Sequence, residues 1–86
     1  MKYSRNENYV FNEVDGELVM MNIETGSYAS LNETGKFIWN ILEESKTLEE
    51  IIPILTEEYD IDQATANIEV NSFLSKLVEQ EILVSA

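Results

Sequence analysis

The most constraining stretch of the chain is Leu18-Val19-Met20-Met21, apolar at every position and bracketed by two turn signals. Asp15-Gly16 precedes it and Glu24-Thr25-Gly26 follows it. Both reverse a chain tightly, because glycine accepts the positive φ that such turns demand. A short apolar run held between two turns reads as a strand with neighbours on both sides. Tyr9-Val10-Phe11, rich in β-formers, supplies one neighbour and Ser27-Tyr28-Ala29-Ser30-Leu31 the other. Short links between consecutive strands make the pairing antiparallel. The predicted unit is a three-stranded meander with Leu18–Met21 in the centre. Strict alternation would leave one face of that strand polar, so this run predicts that both faces of the sheet are partly covered.

From Asn32 onward the pattern has the helical period. Asn32 is a good N-cap and Glu33 sits where the helix dipole favours an acid. Phe37, Ile38, Ile41 and Leu42 form one stripe, with Trp39 off it and packed at its margin, and both Phe37 and Trp39 read as core. Thr47-Leu48-Glu49-Glu50 is a capping box for a second helix, striped by Ile51, Leu55 and Tyr59. Pro53 lies inside it and predicts a mild kink or a late start. Asp62 caps a third helix, in which Ala66, Val70, Phe73 and Leu77 share one face. Asn67, Asn71, Leu74 and Val78 form a shoulder beside that face. The chain closes with Ile82-Leu83-Val84. The predicted fold is α+β, a three-stranded antiparallel meander followed by three α-helices, winged-helix-like in outline. Residues 1–86 are one domain with an ordered core over about 9–84.

What the chain does not contain removes most chemistry. It has no cysteine and no histidine. Thiol nucleophiles, iron–sulfur clusters, Cys- or His-based zinc sites and His-dependent triads are therefore excluded. Asp60 and Asp62 imitate the start of a calcium loop, but Thr65 stands where such a loop turns on glycine and Asn71 where it ends on glutamate. Glu43-Glu44, Glu49-Glu50 and Glu57-Glu58 are adjacent in sequence and so diverge on a helix, as solvated surface does. The three glycines lie far apart and form no phosphate cradle. No catalytic residue, metal site or cofactor is predicted. Five basic residues against seventeen acidic ones leave a net charge of −12, a field that repels nucleic acid and anionic membranes. The first eight residues are too polar for a secretory signal and no apolar run is long enough to span a bilayer, so a cytoplasmic protein is expected.

What remains is a binding module, and the sheet edge suggests how it binds. Ser27 to Leu31 carries no Lys, Glu or Pro, the residues that usually guard an exposed edge. Such an edge is either covered by the protein's own helix or kept for a partner strand. An acidic protein–protein adaptor or antitoxin-like protein of winged-helix shape is the alternative that the residues leave open.

The stretch Gly26-Ser27-Tyr28-Ala29-Ser30-Leu31-Asn32-Glu33-Thr34-Gly35, followed by Ile38-Trp39, resembles the PqqD-like family. Val19-Met20-Met21, Thr47 with Glu50-Ile51, and Phe73-Leu74 with Leu77 fit the same pattern, which covers roughly residues 9 to 84. One departure is Glu81-Ile82-Leu83, where the family commonly has a glycine before its apolar end. The resemblance implies a RiPP recognition element, a non-catalytic peptide chaperone for ribosomally made, post-translationally modified peptides. It implies that the leader segment of a precursor peptide adds as a strand to Ser27, Tyr28, Ala29, Ser30 and Leu31 and lies against Asn67, Val70, Asn71, Leu74 and Val78. The implied partners are that leader and a modifying enzyme, either a radical-SAM enzyme or a leader protease, in pathways such as those making lasso peptides or pyrroloquinoline quinone. A monomer is expected, and its acidic surface is expected to steer a basic leader.

Overall fold

The computed structural model describes residues 1–86. Its centre is built as the turn signals require. β2 (Tyr9–Val14), β3 (Glu17–Asn22) and β4 (Tyr28–Leu31) form an antiparallel sheet in the order β2-β3-β4. Asp15 and Gly16 both have positive φ, 51° and 83°, which is the two-residue hairpin turn that matches strand twist. The second turn rests on Asn22. Its buried side chain accepts the amides of Glu24 and Thr25 at 2.9 and 3.1 Å. Leu18 and Met20 point into the core, and Val19 and Met21 lie on the opposite face. That face is open: Val10, Val14, Val19 and Tyr28 are all exposed, contrary to the expectation that both faces are partly covered.

The three helices start where the sequence places their caps. α1 (Glu33–Ile41) begins with the Gly35 amide donating to Asn32 at 3.0 Å. α2 (Leu48–Glu58) begins with the reciprocal Thr47–Glu50 box, at 3.2 and 2.8 Å. It runs through Pro53 without a delayed start. α3 (Gln63–Glu79) begins with the Thr65 amide donating to Asp62 at 2.8 Å. Backbone hydrogen bonds to the Glu50 and Asp62 carboxylates hold both below their ordinary pKa range. α3 ends in a Schellman motif, with Ile82 donating to the Leu77 carbonyl and Glu81 to that of Val78. The left-handed position that this motif requires is filled by Glu81, at φ 63°, where glycine would adopt the conformation at lower cost.

A second sheet joins these elements, and the sequence periodicity does not reveal it. β1 (Lys2–Arg5) lies between β5 (Lys46–Thr47) and β6 (Leu83–Ser85), antiparallel to both. Ordered structure therefore extends to residue 2. Strands of two to four residues are too short to show an alternation, and their partners are distant in sequence. The second sheet also completes the setting of Trp39, which is buried (1% exposed), as a core residue should be, although it lies off the main stripe of α1. Its ring meets Phe11 edge-on at 5.4 Å, and the Arg5 guanidinium lies 4.8 Å from its centroid. Arg5 also donates twice to the Trp39 carbonyl, at 2.9 and 2.7 Å. α1 has no basic residue in its own last turn, so Arg5 of β1 supplies that complement to the helix end. Burial pushes the Arg5 pKa down, and Glu43 partly opposes the shift.

Candidate functional site

β4 is paired only with β3, so one side of its backbone is unpartnered within the chain. The hydrogen-bond parity settles which residues present that side. The Asn22 amide donates to the Ser27 carbonyl at 2.8 Å, and the register sets Met21, Met20, Val19 and Leu18 opposite Tyr28, Ala29, Ser30 and Leu31. Antiparallel pairs alternate between bonded and non-bonded. Ala29 and Leu31 thus bond inward to β3, while Tyr28 and Ser30 direct their N–H and C=O groups off the sheet edge. Sequence alone leaves this choice between the two sets open. The side chains alternate the other way. Leu31 is buried and Ala29 half-buried beneath the sheet, and Tyr28, 77% exposed, stands on its outer face with Ser30.

Two clefts adjoin this edge and the β4–α1 junction that follows it, one beyond the C-terminal end of α3 and one along its side. At one end, Ser27, Tyr28, Ala29 and Ser30 share a cleft of about 420 Å³ with Tyr9, Gln80 and Ile82. At the other end, Asn32 and Thr34 share a cleft of about 370 Å³ with Ile61, Glu69, Val70 and Phe73. Between them the β4–α1 junction and α3 nearly touch. A β-carbon built at Gly35 would stand 2.9 Å from Leu31 Cβ and 3.1 Å from Phe73 Cζ. Glycine at position 35 is what permits this approach. The 370 Å³ cleft is mainly apolar, with Ile38 and Leu55 at its base and Tyr59 at its side. It can accept an apolar side chain, and the edge beside it can accept main-chain bonds.

The structure sorts the residues singled out in the sequence. Ser27 to Leu31 form the edge and its approach. Val70 is buried in the core and also reaches the apolar cleft. Leu74 is fully buried, so it belongs to the core and not to a wall. Val78 lies on the far flank of α3, beside Leu83, Val84 and Ser85 of the second sheet. Asn67 and Asn71 are exposed on that same flank, away from β4. The flank that faces the β4–α1 junction carries Glu69 and Phe73 instead, with the C-cap residue Gln80 in line with them beside β4. These three are spaced i, i+4, i+11, a stripe on the opposite border of the core face. Periodicity marks both borders of that face equally; only tertiary packing says which one meets the sheet. No group of three His, Cys, Asp or Glu side chains is placed to hold a metal ion. No helix is long and apolar enough to cross a membrane.

An unpartnered strand beside such clefts is an arrangement that can receive an extended chain by strand addition. The family can be named from comparison with other proteins. The model of the family described as coenzyme PQQ synthesis protein D (PqqD) matches residues 17–83, and the chain belongs to that family. Among solved structures, the chain resembles one described as TbiB1 in complex with the TbiA(beta) leader peptide. The two are 32% identical, with 96% of each chain covered and a TM-score of 0.85. It has the same fold as a lasso peptide synthetase B1 complexed with the leader peptide, at 19% identity and a TM-score of 0.82, with 96% of this chain and 98% of that chain covered. No curated protein matches the sequence.

Proposed function

We propose that the chain is a leader-peptide-binding module, a RiPP recognition element. It binds the leader of a ribosomally made precursor peptide as a fourth strand on β4 and delivers the peptide to a modifying enzyme. The observation that carries this reading is the outward-facing backbone of Tyr28 and Ser30 beside the clefts at Phe73 and Gln80. Main-chain bonds to Tyr28 and Ser30 supply affinity, and an apolar anchor in the cleft at Phe73 supplies selectivity. The related structure that is 32% identical was determined with a leader peptide, which supports the same ligand class here.

The module itself does no chemistry in this reading, which the lack of histidine and cysteine supports. Its enzyme is a radical-SAM enzyme or a leader protease, and it works as a cytoplasmic monomer. A net charge of −12 favours a leader rich in Lys and Arg and speeds its encounter at low salt.

The test is a titration of isotope-labelled protein with a synthetic leader from the precursor peptide encoded beside it, followed by amide chemical shifts. The expected shifts fall on Ser27–Leu31, Phe73 and Gln80. Shifts confined to β2 or α2 would overturn the reading.

A further inference from the structure

β2 is the other edge of the meander, and it is closed to a strand at all but one residue. The Ile23 amide donates to the Asn8 carbonyl at 2.8 Å, which sets the parity of the β2–β3 pairing. Tyr9, Phe11 and Glu13 therefore direct their main-chain groups off the edge. Two of these three amides are already taken within the chain. Tyr9 donates to the Asn6 carbonyl and Glu13 to the Asn12 side chain, both at 3.1 Å. The Phe11 amide alone has no partner. A ladder cannot run along β2, but a single group can bind at Phe11.

A polar cleft of about 340 Å³ adjoins that position, walled by Arg5, Tyr9, Phe11 and Trp39, with Glu7 and Glu43. Its donors exceed their partners. Of the five N–H groups that a guanidinium carries, two of Arg5 donate to the Trp39 carbonyl and the rest have no acceptor. Arg5 makes no ion pair. Its guanidinium is held in place, 4.8 Å from the Trp39 ring centroid and 5.3 Å from that of Phe11. Trp39 Nε1 is a buried donor without an acceptor. Glu7 and Glu43 are exposed and bring acceptors to the same cleft.

We propose that this cleft binds the primary carboxamide of an Asn or Gln side chain of the precursor peptide, outside the segment paired with β4. The assignment rests on the leader-binding reading and adds a second point of contact to it. A carboxamide matches both sets of groups in the cleft. Its oxygen accepts from Arg5 and the Phe11 amide, and its NH₂ donates to Glu7 or Glu43. A carboxylate would meet Glu7 and Glu43 within a field of −12, and an ammonium would meet Arg5. An apolar side chain would leave every donor unpaired. The peptide is the source because the two sites share a wall. Tyr9 lines this cleft and also the one beside Ser27, Tyr28, Ala29 and Ser30. A peptide that leaves β4 at its Tyr28 end meets Tyr9 and, beyond it, this cleft.

The test uses the isotope-labelled full chain, whose one tryptophan gives a single indole resonance. It is titrated with N-acetyl-glutamine methylamide and with the glutamate and norleucine counterparts. The expected result is saturable shifts at the Arg5 Nε–H, the Phe11 amide and the Trp39 indole with the glutamine probe, binding at least about threefold weaker for glutamate, and no response to norleucine. Glu43→Gln, a change at an exposed residue, should narrow the preference for glutamine over glutamate, because it removes a carboxylate from the cleft. The synthetic precursor should move these signals together with Ser27–Leu31. A precursor with each Asn and Gln outside its strand segment replaced by Ala should move only Ser27–Leu31 and bind at least about threefold more weakly. Silence of Arg5, Phe11 and Trp39 towards the unaltered precursor overturns the proposal and leaves leader binding standing. An equal response to the glutamate or norleucine probe, or cleft shifts that survive the Ala replacements, overturns the carboxamide as ligand. A precursor that leaves Ser27–Leu31 unmoved brings down the leader-binding reading, and the peptide as source with it, even if the glutamine probe still binds.

Discussion

The Asn22 amide donates to the Ser27 carbonyl across 2.8 Å, and this bond sets which residues of β4 face outward. The parity turns proline substitution into a directional probe. Tyr28→Pro and Ser30→Pro remove donors that have no partner in the free protein, so the fold should survive and leader binding should fall. Ala29→Pro removes a ladder bond to Met20 and should cost about 1–3 kcal/mol of stability. Urea unfolding and leader titration on the three variants separate the effects. Equal destabilisation by all three would show that the parity is wrong.

Two neighbouring residues of α3 should behave in opposite ways. Leu74 is fully buried, and Leu74→Ala should cost about 2–5 kcal/mol of stability. Phe73 is half-buried at the apolar cleft, and Phe73→Ala should weaken leader binding by about 1–3 kcal/mol if the leader seats an apolar anchor there. Calorimetric melting and titration calorimetry on the pair give both numbers. Phe73→Ala with unchanged affinity would remove the anchor from the model of binding.

Arg5 should be more than a surface charge. Arg5→Lys keeps the charge but loses the two-pronged bond to the Trp39 carbonyl and the guanidinium's contact over its ring. We expect Arg5→Lys to lose about 1–2 kcal/mol of stability and Arg5→Ala somewhat more, read by denaturant midpoints. Tryptophan emission from the single Trp39 should shift with Arg5→Ala, because Arg5 covers that ring.

Glu81 holds a left-handed conformation at the end of α3. Glu81→Gly should stabilise the protein by about 1 kcal/mol, since glycine pays no steric penalty there. A rise in melting temperature checks this, and a fall would mean that the Glu81 side chain contributes contacts of its own.

Acid should weaken the caps of α2 and α3. Glu50 and Asp62 have folded pKa values below their unfolded ones, through bonds from the Thr47 and Thr65 amides. Their contribution is complete above the ordinary carboxylate range and is lost as pH falls through the depressed values. Denaturant midpoints measured through this acid range should fall less steeply for Asp62→Asn, which still caps a helix but does not titrate there. An unchanged slope would mean that the Asp62 carboxylate contributes nothing to the acid sensitivity.

The parts of the fold legible in the sequence are those decided locally. Asn32, Thr47 and Asp62 each cap a helix through a bond to a residue three positions on, and Asp15-Gly16 closes a hairpin of adjacent strands. β1, β5 and β6 are invisible by the same criterion, since each is short and finds its partners far along the chain. The site divides in the same way. Ser27–Leu31 is readable as an unguarded edge from its composition. The α3 wall is not, because the helical period outlines a core stripe with two borders, and the choice between Val78 and Phe73 belongs to packing. Trp39 reads as core off the main stripe, but Arg5 and Phe11, which cover it, are not readable from the helical period.

The placement of β1 also bears on how the chain folds. Tyr3 pairs with Lys46 on one side and Ser85 on the other, 43 and 82 positions along the chain. The meander and the capped helices can form from neighbours, whereas the second sheet requires closure of loops spanning nearly the whole chain. Its formation should be the slow step, with β1 unpaired until β6 reaches it. Until then Trp39 lacks its Arg5 cover, and an unpaired β1 with an open α1 end is the intermediate most prone to mispairing.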